Sequence, residues 1–386
     1  MKGVWRPVDR ADGRYHYIPF DAGADGFRVT LAYDRGAGVL DLGVFDPSGN
    51  FRGYSGGARD SFAITPDWAT PGYLPGPVPA GQWSVLLGLH RVSASGLPWE
   101  ITVSAPGAPP SFDSPPAGDK PPRRTDLPDV DGMRWFAGDL HAHTVHSDGT
   151  LSIDELAALA ASSGLDFLAV TDHNTVSHHP YLAAAGRRYG VTLVPGQEVT
   201  TDRGHANAFG DVGWVDFRRP ASEWGGLLSI NHPLGGDCAW RQPMPQRPPL
   251  AEVWHSGWWD RTWGAPLAWL LAWDTGTIPI GGSDFHNPAQ EQRLGQPTTW
   301  VLAPSSDVDD VLAGLTAGRT AISESPDGPL LLRAGDEFLA LGAEGLLLAS
   351  FDGRRTVVAS NCWTAPAAPG LHWLEDSNTR VMAIGA

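Results

Sequence analysis

The segment Gly138-Asp139-Leu140-His141-Ala142-His143 sets two histidines two residues apart, and Ser147-Asp148-Gly149 follows after a short turn. The residues from Arg134 onward read as a strand, on which positions i and i+2 share a face. His141 and His143 would then aim two imidazoles at one point, and Asp148 would return a carboxylate to it. That is the donor set of a divalent cation. Alone the motif is weak, because 13 histidines in 386 residues yield a chance H-x-H about one time in three.

The same residue types recur downstream, nearly always at or just after the end of a strand-like segment. Residues 167–171 deliver Asp172-His173-Asn174, and residues 191–194 lead to Gly196-Gln197-Glu198. Gly204-His205-Ala206-Asn207 comes next, then 227–231 ending at His232-Pro233, and 277–283 ending at Asp284-Phe285-His286. The candidate ligands are therefore His141, His143, Asp148, His173, Glu198, His205, His232, Asp284 and His286. Six imidazoles and three carboxylates are too many for one ion. Nitrogen and oxygen donors without thiolate favour Zn²⁺, Mn²⁺ or Fe²⁺.

These residues need a scaffold, and the pattern around them is α/β. Ser152-Ile153-Asp154-Glu155 is a capping box; Leu156, Leu159 and Ala160 follow at helical spacing, and Gly164 supplies the stop. A second helix is expected over 180–189, ended by Gly190, ahead of a strand at 191–194. Alternating strands and helices imply a parallel sheet with right-handed crossovers, whose functional residues gather at the C-terminal strand ends. Residues 1–107 instead read as all-β. Segments 27–33, 39–45 and part of 83–89 alternate, and Gly- and Pro-rich turns separate them, which suggests a sandwich-like packing or dimerisation domain. His16 and His90 lie there without ligand-type neighbours and are expected to be structural. Residues 108–130 form a Pro-rich, extended linker, 131–328 the barrel region, and 329–386 a short β-rich C-terminal extension.

Taken in order, His141-x-His143 with Ser147-Asp148-Gly149, Thr171-Asp172-His173, Glu198, Gly204-His205, Asn231-His232-Pro233 and Ser283-Asp284-x-His286 resembles the polymerase and histidinol phosphatase (PHP) superfamily of metal hydrolases. The resemblance covers about residues 133–330. It implies a distorted (β/α)7 barrel, two or three divalent transition metals (Zn, Mn or Fe), and in most members phosphoesterase activity. It also implies a ligand assignment. His141, His143, Glu198 and Asp284 would hold one metal; Glu198 would bridge to a second, bound also by His205 and His232; Asp148, His173 and His286 would hold a third. Two close metals lower the pKa of a bridging water and present a metal-bound hydroxide as nucleophile. Glu198-Val199-Thr200-Thr201-x-x-Gly204-His205-Ala206-Asn207 and Gly318-Arg319-Thr320…Ser323-Glu324-Ser325-Pro326 further resemble the carbaryl-hydrolase-type subgroup. Its members carry an extra domain ahead of the barrel and are named for ester or carbamate cleavage.

Other residues bear on specificity. Arg241 and Arg293 lie in loops after ligand-bearing strands and could bind phosphate through paired hydrogen bonds; surface ion pairing is the alternative for each. His255 could contact substrate or donate a proton to a leaving group, against a structural place in a Trp-rich wall. Asn207 is a candidate substrate contact. It is also, with Asp139, Asp172 and His146, a candidate acceptor for ligand imidazoles. His178 and His179 are expected at the surface. Seven tryptophans between Trp240 and Trp273 would line a pocket for an apolar leaving group or simply close the barrel.

The remaining composition sets bounds. A net charge of −16 argues against a polyanionic partner such as nucleic acid. Cys238 and Cys362, the only cysteines, exclude a Cys-based zinc site. No apolar leader and no run of 18 apolar residues are visible, so no membrane contact is expected and the cytoplasm is the default. The chain reads as a metal-dependent hydrolase of small-molecule phosphate mono- or diesters, with a carboxylic ester or carbamate of an aromatic alcohol as the second reading. A glycan- or ligand-binding protein with a vestigial barrel is the third, and the complete ligand set speaks against it. Oligomerisation through the N-terminal domain is compatible with all three.

Overall fold

The computed structural model describes residues 1–122, 124–244, 246–257, 264–273 and 276–385. Strict alternation builds its N-terminal part. The strands are β1 (Lys2–Trp5), then after the short helix α1 (Pro7–Asp12) β2 (Tyr15–Asp21), β3 (Phe27–Tyr33) and β4 (Gly38–Phe45). They continue as β5 (Phe51–Tyr54), β6 (Ser61–Ile64), β7 (Gln82–Val92) and β8 (Leu97–Ser104). They form two four-stranded sheets, β1-β8-β3-β6 and β2-β7-β4-β5. On β3, Phe27, Val29 and Leu31 are buried while Arg28, Thr30 and Ala32 are not, as a strand with one covered face requires. Strand β4 is buried along nearly its whole length. The reason is a second covering: Phe45 and Phe51 of this sheet pack with Val199, Ala206 and Ala208 of the following region.

The described residues of the linker form no helix or strand. The next strands and helices carry the site. In chain order they are β9 (Arg134–Asp139), α2 (Ile153–Ser162), β10 (Phe167–Val170), α3 (His179–Tyr189), β11 (Thr192–Thr201) and β12 (Gly204–Phe209). There follow β13 (Leu227–Ile230), β14 (Leu250–His255), α4 (Gly264–Trp273), β15 (Ile278–Gly282), β16 (Thr298–Ala303), α5 (Val308–Thr316) and β17 (Thr320–Ser323). The capping box on α2 forms as expected, Ser152 Oγ accepting from Glu155 N and the Glu155 carboxylate accepting from Ser152 N. Gly190 ends α3 in the left-handed region.

A regular repeat of seven strands and seven helices does not form among the described residues. β9, β10 and β11 are parallel, but β11 turns directly into β12 as an antiparallel hairpin, and β12 meets β13 antiparallel before β14 and β15 resume parallel pairing. Beyond the strand ends, a parallel bridge joins Ala142 to Phe285. It brings the exits of β9 and β15 together, and the ligands lie there. β16 pairs antiparallel with the other edge of β9 and carries the sheet onward through β17.

The C-terminal part comprises β18 (Leu330–Ala334), β19 (Glu337–Leu341), β20 (Leu347–Ser350), β21 (Arg355–Val357), β22 (Cys362–Pro366), β23 (His372–Glu375) and β24 (Val381–Gly385). It is more than a module packed on the outside, because β24 pairs with β17 and so extends the central sheet. No helix among the described residues is long and apolar enough to cross a membrane.

Candidate metal centre

The nine candidate ligands converge. His141 and His143 lie just past β9, and their Nε2 atoms approach one oxygen of Asp284, at 3.2 and 3.0 Å. Both also face Glu198, at 3.4 and 3.5 Å. Glu198 sits within β11 rather than after its end, because the strand runs on into the hairpin. It is 0% exposed. His205 Nδ1 and His232 Nε2 stand 3.0 and 3.2 Å from its Oε1. Asp148 Oδ1 lies 3.2 Å from His286 Nε2 and 3.6 Å from His173 Nε2. Donor atoms of His143, Asp148, His173 and His286 form one compact group, those of His141, His143, Glu198 and Asp284 a second, and those of His173, Glu198 and His205 a third.

The outward side of these rings fixes what the inward side can do. His141 Nδ1 is 2.7 Å from Glu252 Oε1, His173 Nδ1 is 2.6 Å from Thr200 Oγ1, and His286 Nδ1 is 2.7 Å from the Asp284 carbonyl oxygen. A neutral ring that donates from Nδ1 presents a lone pair at Nε2. Those lone pairs face carboxylate oxygens, an arrangement that repels unless a proton or a cation lies between. His141 Nε2 is buried without a hydrogen-bond partner, and Glu198 Oε2 meets His173 Nδ1 at 2.7 Å. The set therefore fits divalent transition cations held by nitrogen and oxygen, with His141 and His286 oriented from behind as metal-ligating histidines are. The charges agree. Burial alone would raise the Glu198 and Asp284 carboxyls, but the imidazoles around them hold both well below the ordinary range. Burial, with His286 and His173 nearby, pushes His143 down to about 4.

The backbone bends to make this possible. His232 and Asp284 have φ of 27° and 51°, and Asn174, next to His173, has 53°. Non-glycine residues in this region store about 1–3 kcal/mol each and persist where surrounding structure enforces them. Asp139 does the enforcing for one pair of loops. It accepts from the backbone N–H of His141, Ser283 and Gly295 and so orders two ligand loops at once, rather than touching a ligand imidazole. Asp172 accepts from Thr144 and from Ser147 Oγ, which lies 3.4 Å from His143 Nδ1.

Several expected roles change. Asn207 is fully buried and donates to the Leu140 carbonyl, so it lies beneath the centre and has no route to a substrate. It accepts from Asn231 Nδ2, which also donates to Glu198. His146 turns away from the ligands to Ser177 Oγ at 2.7 Å. His178 is buried, not at the surface, with Nε2 against the Val170 and Gly196 carbonyls, and His179 is largely buried beside it. His90 contacts Asp202. Arg241 is exposed and donates to the Asp202 carbonyl at 2.6 Å.

Beside the ligands opens a cavity of about 650 Å³, lined by Trp254, His255, Arg293, Glu291, Glu324 and Ser325 among others. His255 Nδ1 accepts from Gly257 N–H at 3.0 Å, which places the ring hydrogen on Nε2, 3.4 Å from Asp284 Oδ2. Of the tryptophan group, Trp254 reaches this cavity. Trp240 and Trp269 pack into separate apolar clusters, and Trp258, Trp259 and Trp263 lie outside the described residues.

Glu252 had no counterpart in the sequence reading. It is fully buried at mid-strand in β14, bonding His141 with one oxygen and the His232 N–H with the other, at 2.8 Å. Its only sequence signal is an acid inside an apolar strand; in the fold it lies opposite Ile280, and a Cβ on Gly282 would collide with its Oε1.

Residues 139–244 match the model of the PHP domain. The chain carries a PHP domain. The match takes in His141 through His232 and ends before Asp284 and His286, which the fold returns to the same point. Over 64 residues the chain is 38% identical to a 5'-3' exoribonuclease of Haemophilus influenzae, an alignment that covers 17% of this chain and 23% of that protein. A two-domain protein from Bacteroides vulgatus, described as containing a predicted PHP-like metal-dependent phosphoesterase, is similar at 18% identity and a TM-score of 0.44, over 69% of this chain and 98% of that one. A proposed metal-dependent phosphoesterase from Bifidobacterium adolescentis is similar at 17% identity and 0.31, over 46% and 95%.

Proposed function

We propose that this chain is a metal-dependent hydrolase of small-molecule phosphate mono- or diesters. The observation that carries the reading is the convergence of six imidazoles and three carboxylates, with His141 Nε2 buried among them without a hydrogen-bond partner. His141, His143, Glu198 and Asp284 would hold one cation, Glu198 with His205 and His232 a second, and Asp148, His173 and His286 a third. Bound there, the metals would activate water and neutralise charge developing on the scissile group. We read the curled sheet around them as an irregular PHP barrel.

The chain's own residues supply the rest. His255 carries its hydrogen on Nε2, so it is a donor toward an ester oxygen and not a ligand, although it stands close to His141 and Glu252. Arg293 lines the same cavity and offers a planar pair of donors to a phosphate. Glu291 and Glu324 stand with Arg293 on the cavity wall, and with a net charge of −16 this favours a small molecule over a nucleic-acid polymer. Trp254, Glu324 and Ser325 on the cavity wall favour a second reading, a carboxylic ester or carbamate with an aromatic leaving group. Glu324 and Ser325 belong to the carbaryl-hydrolase-like motif.

The test uses metal-stripped protein refilled with Mn²⁺ or Zn²⁺ and matched nitrophenyl phosphate, phosphodiester and acetate substrates. Metal-restored preference for a phosphate, weakened in Arg293→Ala, supports the first reading. Preference for acetate supports the second. Full activity in the stripped protein defeats both.

A further inference from the structure

Besides the apolar packing of Phe45 and Phe51, three polar contacts of the N-terminal sandwich lie behind ligand-bearing segments. Arg59 donates from Nη2 to the carbonyl of Val145, in the turn between His143 and Asp148. Gly72 N–H donates to Ser177 Oγ at 3.0 Å, and Thr175 Oγ1 donates to the Gly72 carbonyl at 2.9 Å, tying down the segment that follows His173. Gly72 has φ of 97°, and a Cβ there would stand 2.7 Å from the His146 carbonyl oxygen, so sandwich backbone rests directly on the Asp148 turn. The third point is Asp202, in the hairpin turn between Glu198 and His205, which meets Arg10, Arg14 and His90.

The first two points serve one group of donors. His143, Asp148, His173 and His286 form it, and Asp148 is its most exposed member, with a side chain 40% accessible on an irregular turn. A turn outside the strand ladder has little stability of its own. Asp172 holds it on one side, through Thr144 and Ser147, and the sandwich holds it on the other.

We infer that the sandwich is a working part of the metal centre, with Arg59 and Gly72 as positioning residues for the cation held by Asp148, His173 and His286. This rests on the metal reading above. Weakening the contact removes that cation while the other groups of ligands keep theirs.

The experiment counts metal rather than turnover. Full-length wild type, Arg59→Ala, Arg59→Lys, Gly72→Ala and Asp148→Ala are each loaded with Mn²⁺, desalted and assayed for metal per chain, and circular dichroism follows their folding. Arg59→Ala and Gly72→Ala are expected to melt cooperatively yet bind one equivalent at least about tenfold more weakly, the scale at which supports behind ligands act. Asp148→Ala should lose the same equivalent, and Arg59→Lys, which keeps a donor for the Val145 carbonyl, should retain it. Unchanged stoichiometry and affinity in folded Arg59→Ala overturns the inference, even if Gly72→Ala fails to fold. A wild type that takes up no metal overturns the metal reading itself, a result distinct from intact binding in the variants.

Discussion

The sandwich core and the metal centre are buried to a similar degree and built on opposite principles. In the sandwich, Phe27, Phe62, Leu40, Leu42 and Trp83 lie at 0–1% exposure against one another, and the one polar atom of Trp83 donates to the Pro79 carbonyl. Its stability comes from removing apolar surface from water. In the centre, His141, His143, Glu198 and Glu252 are equally inaccessible, but the enclosed atoms are charged or carry lone pairs that oppose one another. Enclosing such groups costs free energy unless each is paired. The strained φ angles at His232 and Asp284 add to that cost. One region stabilises the fold; the other is held in place by it and is favourable where a proton or a cation lies between its opposed atoms.

The difference predicts which substitutions break chemistry and which break the fold. His141→Ala or Asp284→Ala should lower turnover by more than about a thousandfold, beyond the loss of a single oxyanion donor, while the apo protein stays folded. Paired kinetics and thermal melting check this. Wild-type rates in either variant would refute the ligand assignment. Trp83→Ala should do the reverse, removing about 3–5 kcal/mol of stability by leaving a cavity against Phe20 and Phe27. Urea unfolding reads the loss, and turnover per folded molecule should hold near wild type at low temperature.

Glu252→Gln falls between the two. The amide can still accept from the His232 N–H but no longer fixes His141 with a charge, so metal affinity should drop about 10- to 100-fold with the melting point of the apo protein little changed. Competitive titration against a fluorescent chelator measures it. An equal affinity would mean that His141 needs no support from behind.

Glu252 also marks the limit of what could be read ahead of the structure. The ligands were legible because imidazoles and carboxylates at strand ends are rare by chance and repeat. The α2 capping box and the alternating β3 strand were legible because their signals are local. The hairpin of β11 and β12 was not: Val199 and Thr200 continue a strand whose partner follows at once, and nothing local separates that from a helical crossover. Asn207 and His178 were misplaced for a related reason. Their residue types belong at surfaces or sites, and only the closed fold shows that both satisfy buried carbonyls. The three-part contact of the sandwich with the centre depends on pairs more than 80 residues apart and leaves no periodic trace.

The smallest expected effect lies on the seam between the two regions, at Asp202. The hydrogen bond to Asp202 raises the His90 pKa above 6.5. Burial would raise Asp202, but His90, Arg14 and Arg10 together hold it below 3.8. A histidine with a raised folded value contributes stability that is complete below its unfolded value and is lost as pH rises through the folded one. For the lowered carboxyl, the contribution is complete above the unfolded value and is lost as pH falls through the folded one. Both hold between about pH 4 and pH 6.5. Because both side chains are a third or more exposed, solvent screens the pair and its effect is small. His90→Gln should therefore lower the melting temperature slightly at about pH 5.5 and not at about pH 9. Melting curves across that range decide it, and a difference that grows toward high pH would show that His90 is held there as a neutral ring.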